Sequence, residues 1–210
     1  MSFLEICWEQ REESIYKSLL EDLGPGIYPL DANVFRDKFK REELDPRWFH
    51  YGVFKCPPVA NRKHWVYISS GMSNPWETDS PEEYSGFGTE FLIETQEESA
   101  WAITALHSLV AFNILLSVGH YGDKPLVDYG DRMPLSVEPY ITNVMVTQPR
   151  DFPSSFNLDS GRVDLLQITG ITADELSYAK RTSSEELAQL IYRKMGTLAF
   201  NPKRESVGKV

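Results

Sequence analysis

The sequence predicts an α+β domain in which a mixed, largely antiparallel sheet packs on a long buried central helix, with flanking helices. Three observations carry that reading. Alternating or β-branched runs lie both before residue 95 and between residues 140 and 169. Between them, Gln96 to Ser117 is apolar nearly all round, as a helix enclosed by other elements must be. After the last strand signal, two N-cap signatures open two further helices. Strands, one long helix, strands and a closing helix pair differ from the regular β-α alternation of a doubly wound fold.

In chain order, the first element is an amphipathic helix from about Cys7 to Leu23. Trp8, Ile15, Leu19, Leu20 and Leu23 share one face, and Glu9, Arg11, Glu12 and Glu13 take the other. Gly24-Pro25-Gly26 stops it. Asp31 to Pro58 reads as a charged, aromatic-rich connection with a short solvated helix at Asp37–Glu43. His64-Trp65-Val66-Tyr67-Ile68 is a strand, and a turn-rich stretch separates it from a second one. There Phe87, Thr89, Phe91, Ile93 and Thr95 alternate with Gly88, Glu90, Leu92 and Glu94, the pattern of a half-buried antiparallel strand. Thr95-Gln96-Glu97-Glu98 reads as a capping box opening the central helix, and Gly119 is placed to cap its end.

Two Gly-Asp turns, at Gly122-Asp123 and Gly130-Asp131, flank a short strand. Tyr140–Thr147 and Arg162–Thr169 are further strands joined by a polar, proline-containing loop. Thr172 with Glu175 and Ser183 with Glu186 start the last two helices, and Gly196 ends the second. The expected organisation is an N-terminal helix packed on the domain (1–30), the domain itself (31–198) and a frayed tail (199–210).

Composition narrows the function classes. In 210 residues, 41% hydrophobic and 25% charged are ordinary globular values, which excludes wholesale disorder. The 21 basic and 31 acidic residues leave a net charge of −10. That balance argues against nucleic acid and against an anionic membrane, and favours encounter with a basic partner. Cys7 and Cys56 are far apart, and His50, His64, His107 and His120 are scattered, so no metal site is expected. Two unpaired thiols suit a reducing, cytoplasmic setting. The N-terminus lacks the basic region of a signal peptide, and the Leu109–Val118 stretch falls short of the ~20 apolar residues a membrane span takes.

Reaction chemistry is sparse. Gly86-Phe87-Gly88 lacks the third glycine of a dinucleotide fingerprint and leads into a strand, so it reads as a turn or bulge and no cofactor is expected. The pairs Glu12/Glu13, Glu82/Glu83 and Glu97/Glu98 are sequence neighbours that do not face each other on a helix. His107 reads as a buried, hydrogen-bonded histidine. His120 and Asp123 are the one acid/base pair a hydrolase would use, with no nucleophile marked beside them.

Three blocks carry a family resemblance. The strand from His64 to Ser73 is similar to a W-x-Y-I-S-x-G-x-S pattern, and Ser85-Gly86-Phe87-Gly88-Thr89-Glu90-Phe91 resembles an S-G-F-G-x-E run. Gly161 to Leu176 resembles G-x-V-x-F-L-Q-I-x-G-V-T-x-E-L, and Leu44-Asp45-Pro46 and Pro134-Leu135 also fit. In this order, from Leu44 to Arg193, the blocks resemble the suppressor-of-fused domain family. The resemblance implies a non-enzymatic protein-binding module. Animal members have a second, C-terminal domain, for which this chain is expected to have no room, and hold a transcription-factor peptide as an added strand between the domains. Single-domain bacterial members are proposed, from gene neighbourhood, to be immunity proteins that neutralise polymorphic toxins. By that resemblance the peptide-gripping segment maps to Gly119, His120 and Tyr121, where His120 replaces the family's aspartate; Leu109 stands where the family has a tyrosine on the preceding helix. The expected partner is therefore a protein or peptide, with a basic toxin as the leading case. An intracellular adaptor that takes a peptide by strand addition, and a hydrolase using His120 and Asp123, are the alternatives.

Overall fold

A computed structural model describes residues 1–138 and 141–207. Helix α1 (Phe3–Glu9) starts at a capping box formed by Ser2 and Glu5 and continues through a π-helical stretch (Gln10–Tyr16) into α2 (Lys17–Leu20). The helix therefore begins and ends earlier than its apolar spacing predicts. The wider π-turns advance the buried face, so Cys7, Arg11, Tyr16 and Leu20 all point inward. Arg11, expected on the solvent face, has no exposed surface.

The connection expected at 31–58 contains a strand of the sheet: β1 (Ile27–Pro29) leads into the connection and β2 (Gly52–Cys56) lies within it, near its end. A π-helical stretch (Val34–Lys38) and a 3-10 turn (Pro46–His50) lie between them, replacing the helix expected at Asp37–Glu43. Burial of Phe35, whose ring stacks on Trp48 at 4.9 Å, places the helical turn one step earlier. Glu42 and Glu43 are left outside it, in solvent.

The remaining elements are β3 (Trp65–Ser70), β4 (Tyr84–Thr95), α3 (Ala100–Ser117), β5 (Arg132–Glu138), β6 (Ile141–Thr147), β7 (Ser155–Leu158), β8 (Gly161–Ile171), α4 (Ala173–Arg181) and α5 (Ser184–Met195). Tyr140, expected in the β6 strand, lies outside the described residues. β5 follows the second Gly-Asp turn instead of lying between the two turns, and β7 arises within the expected polar loop. The eight strands form one mixed sheet in the order β1-β2-β3-β4-β8-β6-β5, with β7 beside β6 on β8. Every pairing is antiparallel except β4 with β8.

One face of the sheet (Val53, Tyr67, Phe91, Ile93, Val144, Val146, Leu166 and Ile168) packs on α3. On the other face, Phe54, Val66, Ile68, Leu92 and Leu165 lie under Tyr16 and Leu20. Further along, Met145 and Ile171 lie under Ala179, Leu187 and Ile191 of α4 and α5. Three layers result, so β4 is buried on both faces instead of one. Helix α3 is long and apolar enough to cross a bilayer by length and composition, and it is the central helix of this core.

α3 starts four residues later than its predicted capping box. Thr95 remains the last residue of β4 and bridges Phe200, while the Gln96 N–H donates to the Phe200 carbonyl at 3.1 Å. The tail thus holds the would-be cap in extended backbone. The same contacts correct the expectation of a frayed tail. Leu198, Ala199, Phe200 and Val207 are buried, and Arg204 grips Glu175, its Nη2 donating to Oε2 at 2.7 Å. Gly208 to Val210 lie outside the described residues. Several local readings hold in the fold. Thr172 and Glu175 form a capping box, Ser183 caps α5, and Gly196 closes it at φ 72°. Gly86 and Gly88 sit at a register shift in β4, and both cysteines are free and buried.

Candidate functional site

Helix α3 ends where Gly119 turns to φ 69°, its N–H donating to the Leu116 carbonyl at 3.0 Å and that of His120 to Leu115 at 2.9 Å. This turn brings Tyr121 back against the helix, its ring 5.3 Å from Phe112, which in turn stacks on Phe39 at 6.4 Å. These rings, with Leu109, Met133, Pro134 and Leu135, line a groove of about 280 Å³. Lys38 and Lys124 stand at its mouth, over the rings of Phe39 (5.8 Å) and Tyr121 (6.0 Å). Partial burial pulls the Lys38 ammonium below its usual pKa.

One wall of the groove is β5, the last strand at that margin of the sheet. An edge strand presents unpaired backbone groups. Pro134 removes one N–H from it, a common guard against edge-to-edge self-association. Tyr121 and Leu109, linked by the resemblance alone, are thus brought to the same groove. Gly119 shapes the turn without lining it. His120 is exposed and meets Tyr121 edge-on at 4.7 Å, outside the groove lining. No hydrogen bond joins His120 to Asp123 among the described residues, so the structure does not couple them as an acid/base pair. Lys38, Phe39, Lys124 and Met133 went unseen in the sequence because only the fold puts them side by side.

A second depression, of about 310 Å³, touches the C-terminal end of α3 at Ser117 and Val118. Trp48, Tyr51, Trp76 and Phe87 wall it, and Asp45, Arg47, Glu77 and Glu82 stand around it. A buried polar knot holds its loop, residues 71–76. Glu90 accepts from Ser69 Oγ (2.5 Å), Gly71 N–H (3.0 Å), Ser73 N–H (2.9 Å) and Ser73 Oγ (2.7 Å). Arg11 donates to Ser70 Oγ, Ser73 Oγ and Asn74 Oδ1 at 3.1, 3.1 and 2.7 Å. A Cβ on Gly86 would lie 2.6 Å from the Met72 and Asn74 carbonyl oxygens, so only glycine lets β4 pass so close to the loop. The serines and the glutamate of the first two resembling blocks, with Gly71 and Gly86, are spent on this knot. Burial pushes the Tyr51 hydroxyl up to about 12, which keeps it protonated.

On the sheet face under α5, Glu94 accepts from Gln167 Nε2 at 2.9 Å, and its other oxygen has no hydrogen-bond partner. Burial, with Asp151 nearby, raises its carboxyl to about 7. His107 donates from Nε2 to the Tyr28 carbonyl (2.9 Å), which locks β1 to α3. Among the described residues, no group of three or more His, Cys, Asp or Glu is placed to hold a metal ion.

The family model for suppressor of fused protein (SUFU) matches residues 47–205, well over half of the chain. This chain belongs to the suppressor-of-fused family. Among solved structures of the SUFU fold, that of the Sufu–Fu complex aligns at a TM-score of 0.58 and 21% identity, covering 75% of this chain and 76% of that one. Drosophila Suppressor of Fused aligns at 0.57 and 21%, covering 75% of this chain and 42% of its own, so the present chain spans under half of that protein. A SUFU homologue from Neisseria gonorrhoeae aligns at 0.55 and 19%, covering 83% and 93%. No curated protein matches in sequence. Lys38 and Phe39 of the groove precede the span that the SUFU model matches, whereas every residue of the 71–76 knot except Arg11 falls inside it.

Proposed function

We propose that this SUFU-family chain is a protein-binding module that takes an extended peptide segment along β5. The partner's apolar side chains enter the groove between Phe39, Phe112 and Tyr121, and acidic flanking residues meet Lys38 and Lys124. The observation that carries this reading is the coincidence of a sheet margin with an apolar groove that begins beside it. Main-chain hydrogen bonds to an edge strand supply affinity, and pockets for alternate side chains supply specificity. The crystallised Sufu–Fu complex supports a protein partner for this fold.

The partner we favour is a toxin that the chain neutralises in the cytoplasm. The net charge of −10 speeds encounter with a basic protein, while the two groove lysines select the acidic or neutral segment that docks. Capture from the source cell with the wild-type chain and with Tyr121→Asp tests the site: the partner is lost with the variant, and equal capture by both overturns the groove. Co-expression with a toxin encoded beside this gene tests the role, since rescued growth supports neutralisation and unchanged killing rejects it.

A further inference from the structure

We propose that helix α5 and loop 148–152 form a proton-controlled flap over a buried polar seam, held down while Glu94 is protonated and released when it ionises. Between the apolar patch under Tyr16 and Leu20 and the one under α4 and α5, one face of the sheet turns polar. Glu94 of β4, Gln167 and Thr169 of β8 and Thr147 of β6 project there. Leu92 pairs with Gln167 and Gln167 with Thr147, and Glu94 and Thr169 are the next same-face residues on their strands. All four are at most 2% exposed, and each has a side-chain oxygen with no hydrogen-bond partner among the described residues. Orphaned buried polar atoms cost free energy that water would return, so the seam resists being kept dry.

The cover over it is weakly tied. Tyr192 Oη on α5 donates to Asp151 Oδ1 at 3.4 Å, and Arg150 pairs with Glu185, both contacts lying at the surface. Exposed ties of this kind contribute little. A void of about 60 Å³, bordered by Thr169, Ile191 and Met195, already separates part of α5 from the sheet and gives water room to advance.

Glu94 tips the balance. Its Oε1 accepts from Gln167 Nε2 at 2.9 Å, while Oε2 faces His64 Nδ1 across 3.9 Å. The other charged or titratable groups acting on it are Asp151 on the loop, Tyr192 on α5 and Arg62 ahead of β3. Arg62 is committed to the carbonyls of His64, Leu20 and Pro57, and burial holds the His64 imidazole below its usual pKa. A carboxylate formed under the flap therefore has one hydrogen bond and no close counter-charge, whereas lifting the flap hydrates it. The closed form, with the carboxyl raised to about 7, binds the proton more tightly than an open form near the ordinary 4.5. Opening thus grows as pH rises from 4.5 to 7 and levels above that.

Amide hydrogen exchange of the full chain from pH 5 to pH 8, corrected for its intrinsic pH dependence, tests the flap. Opening of residues 150–152 and 185–193 is expected to increase by about tenfold or more between pH 5 and pH 7.5. It should exceed the opening of β2 and β3 and be insensitive to dilute urea, as sub-global opening is. Glu94→Gln should remove the pH dependence and His64→Gln should keep it. Tyr192→Phe should raise opening at every pH, with the wild-type dependence. A flat wild-type profile overturns the proposal, as does a Glu94→Gln profile like the wild type. Exchange of α5 only at the rate of β2 and β3 would mean that it opens by global unfolding alone, and overturns it as well.

Discussion

Glu175 and Arg204 form the most consequential single pair in the molecule. Burial alone would raise the Glu175 carboxyl, but the guanidinium and the N–H groups of Thr172 and Val207 hold it below its usual value of 4.5. A depressed carboxylate stabilises the fold above the unfolded-state pKa and loses that contribution as pH falls through the folded value. Arg204→Met leaves a buried carboxylate uncompensated and should cost about 3–5 kcal/mol in urea unfolding at neutral pH, with a smaller loss at pH 4. Glu94 works in the opposite sense. Its carboxyl, raised to about 7, favours the protonated form in the fold. The stability this provides is complete below about pH 4.5 and disappears as pH rises through 7. His64 (Nδ1 3.9 Å away), Asp151, Arg62 and Gln167 are the groups that face or bias it. Glu94→Gln should therefore gain on the wild type in thermal unfolding at pH 8 and lose that advantage at pH 4.5; equal differences at both pH values would show that Glu94 does not titrate in this range. Neither role is visible in the sequence, where both residues sit in ordinary helix-start and strand positions.

Elements show where local signals suffice. The glycine turns after α3 and α5, the capping box at Thr172 and the N-cap at Ser183 each depend on neighbours a few residues away, and each appears in the fold. Thr95-Glu98 has an equally good box, yet α3 starts at Ala100 because a segment a hundred positions later extends β4. Phe200 makes that contact, packing on Trp101 at 4.6 Å and against Gly170. Phe200→Ala should cost about 3–5 kcal/mol in denaturant unfolding. The β4 entrance is equally constrained. Gly86→Ala combines a positive φ with a Cβ 2.6 Å from two backbone oxygens, so a loss of about 2 kcal/mol or more is expected, together with faster amide exchange in residues 71–76. Wild-type exchange rates there would mean the knot does not depend on that approach.

For the whole molecule, charge and shape work at different ranges. The field of −10 acts over the Debye length, about 8 Å at physiological salt, whereas Lys38 and Lys124 act only on what touches the groove. Association with a basic partner should thus slow as salt is raised from 50 to 300 mM, and the dissociation rate should change little. An association rate that is flat with salt would show that steering plays no part.

By itself the sequence determined the fold class, four of the eight strands, the main helices, the free thiols and the family, because period, caps and glycine positions are local and the blocks are contiguous. The tertiary structure alone decided the parallel β4–β8 pairing, the docked tail, the inward turn of Arg11 and the two depressions. Those features join residues separated by tens to more than a hundred positions, and the energy that selects them comes from burying surface between segments, which no local pattern of residues records.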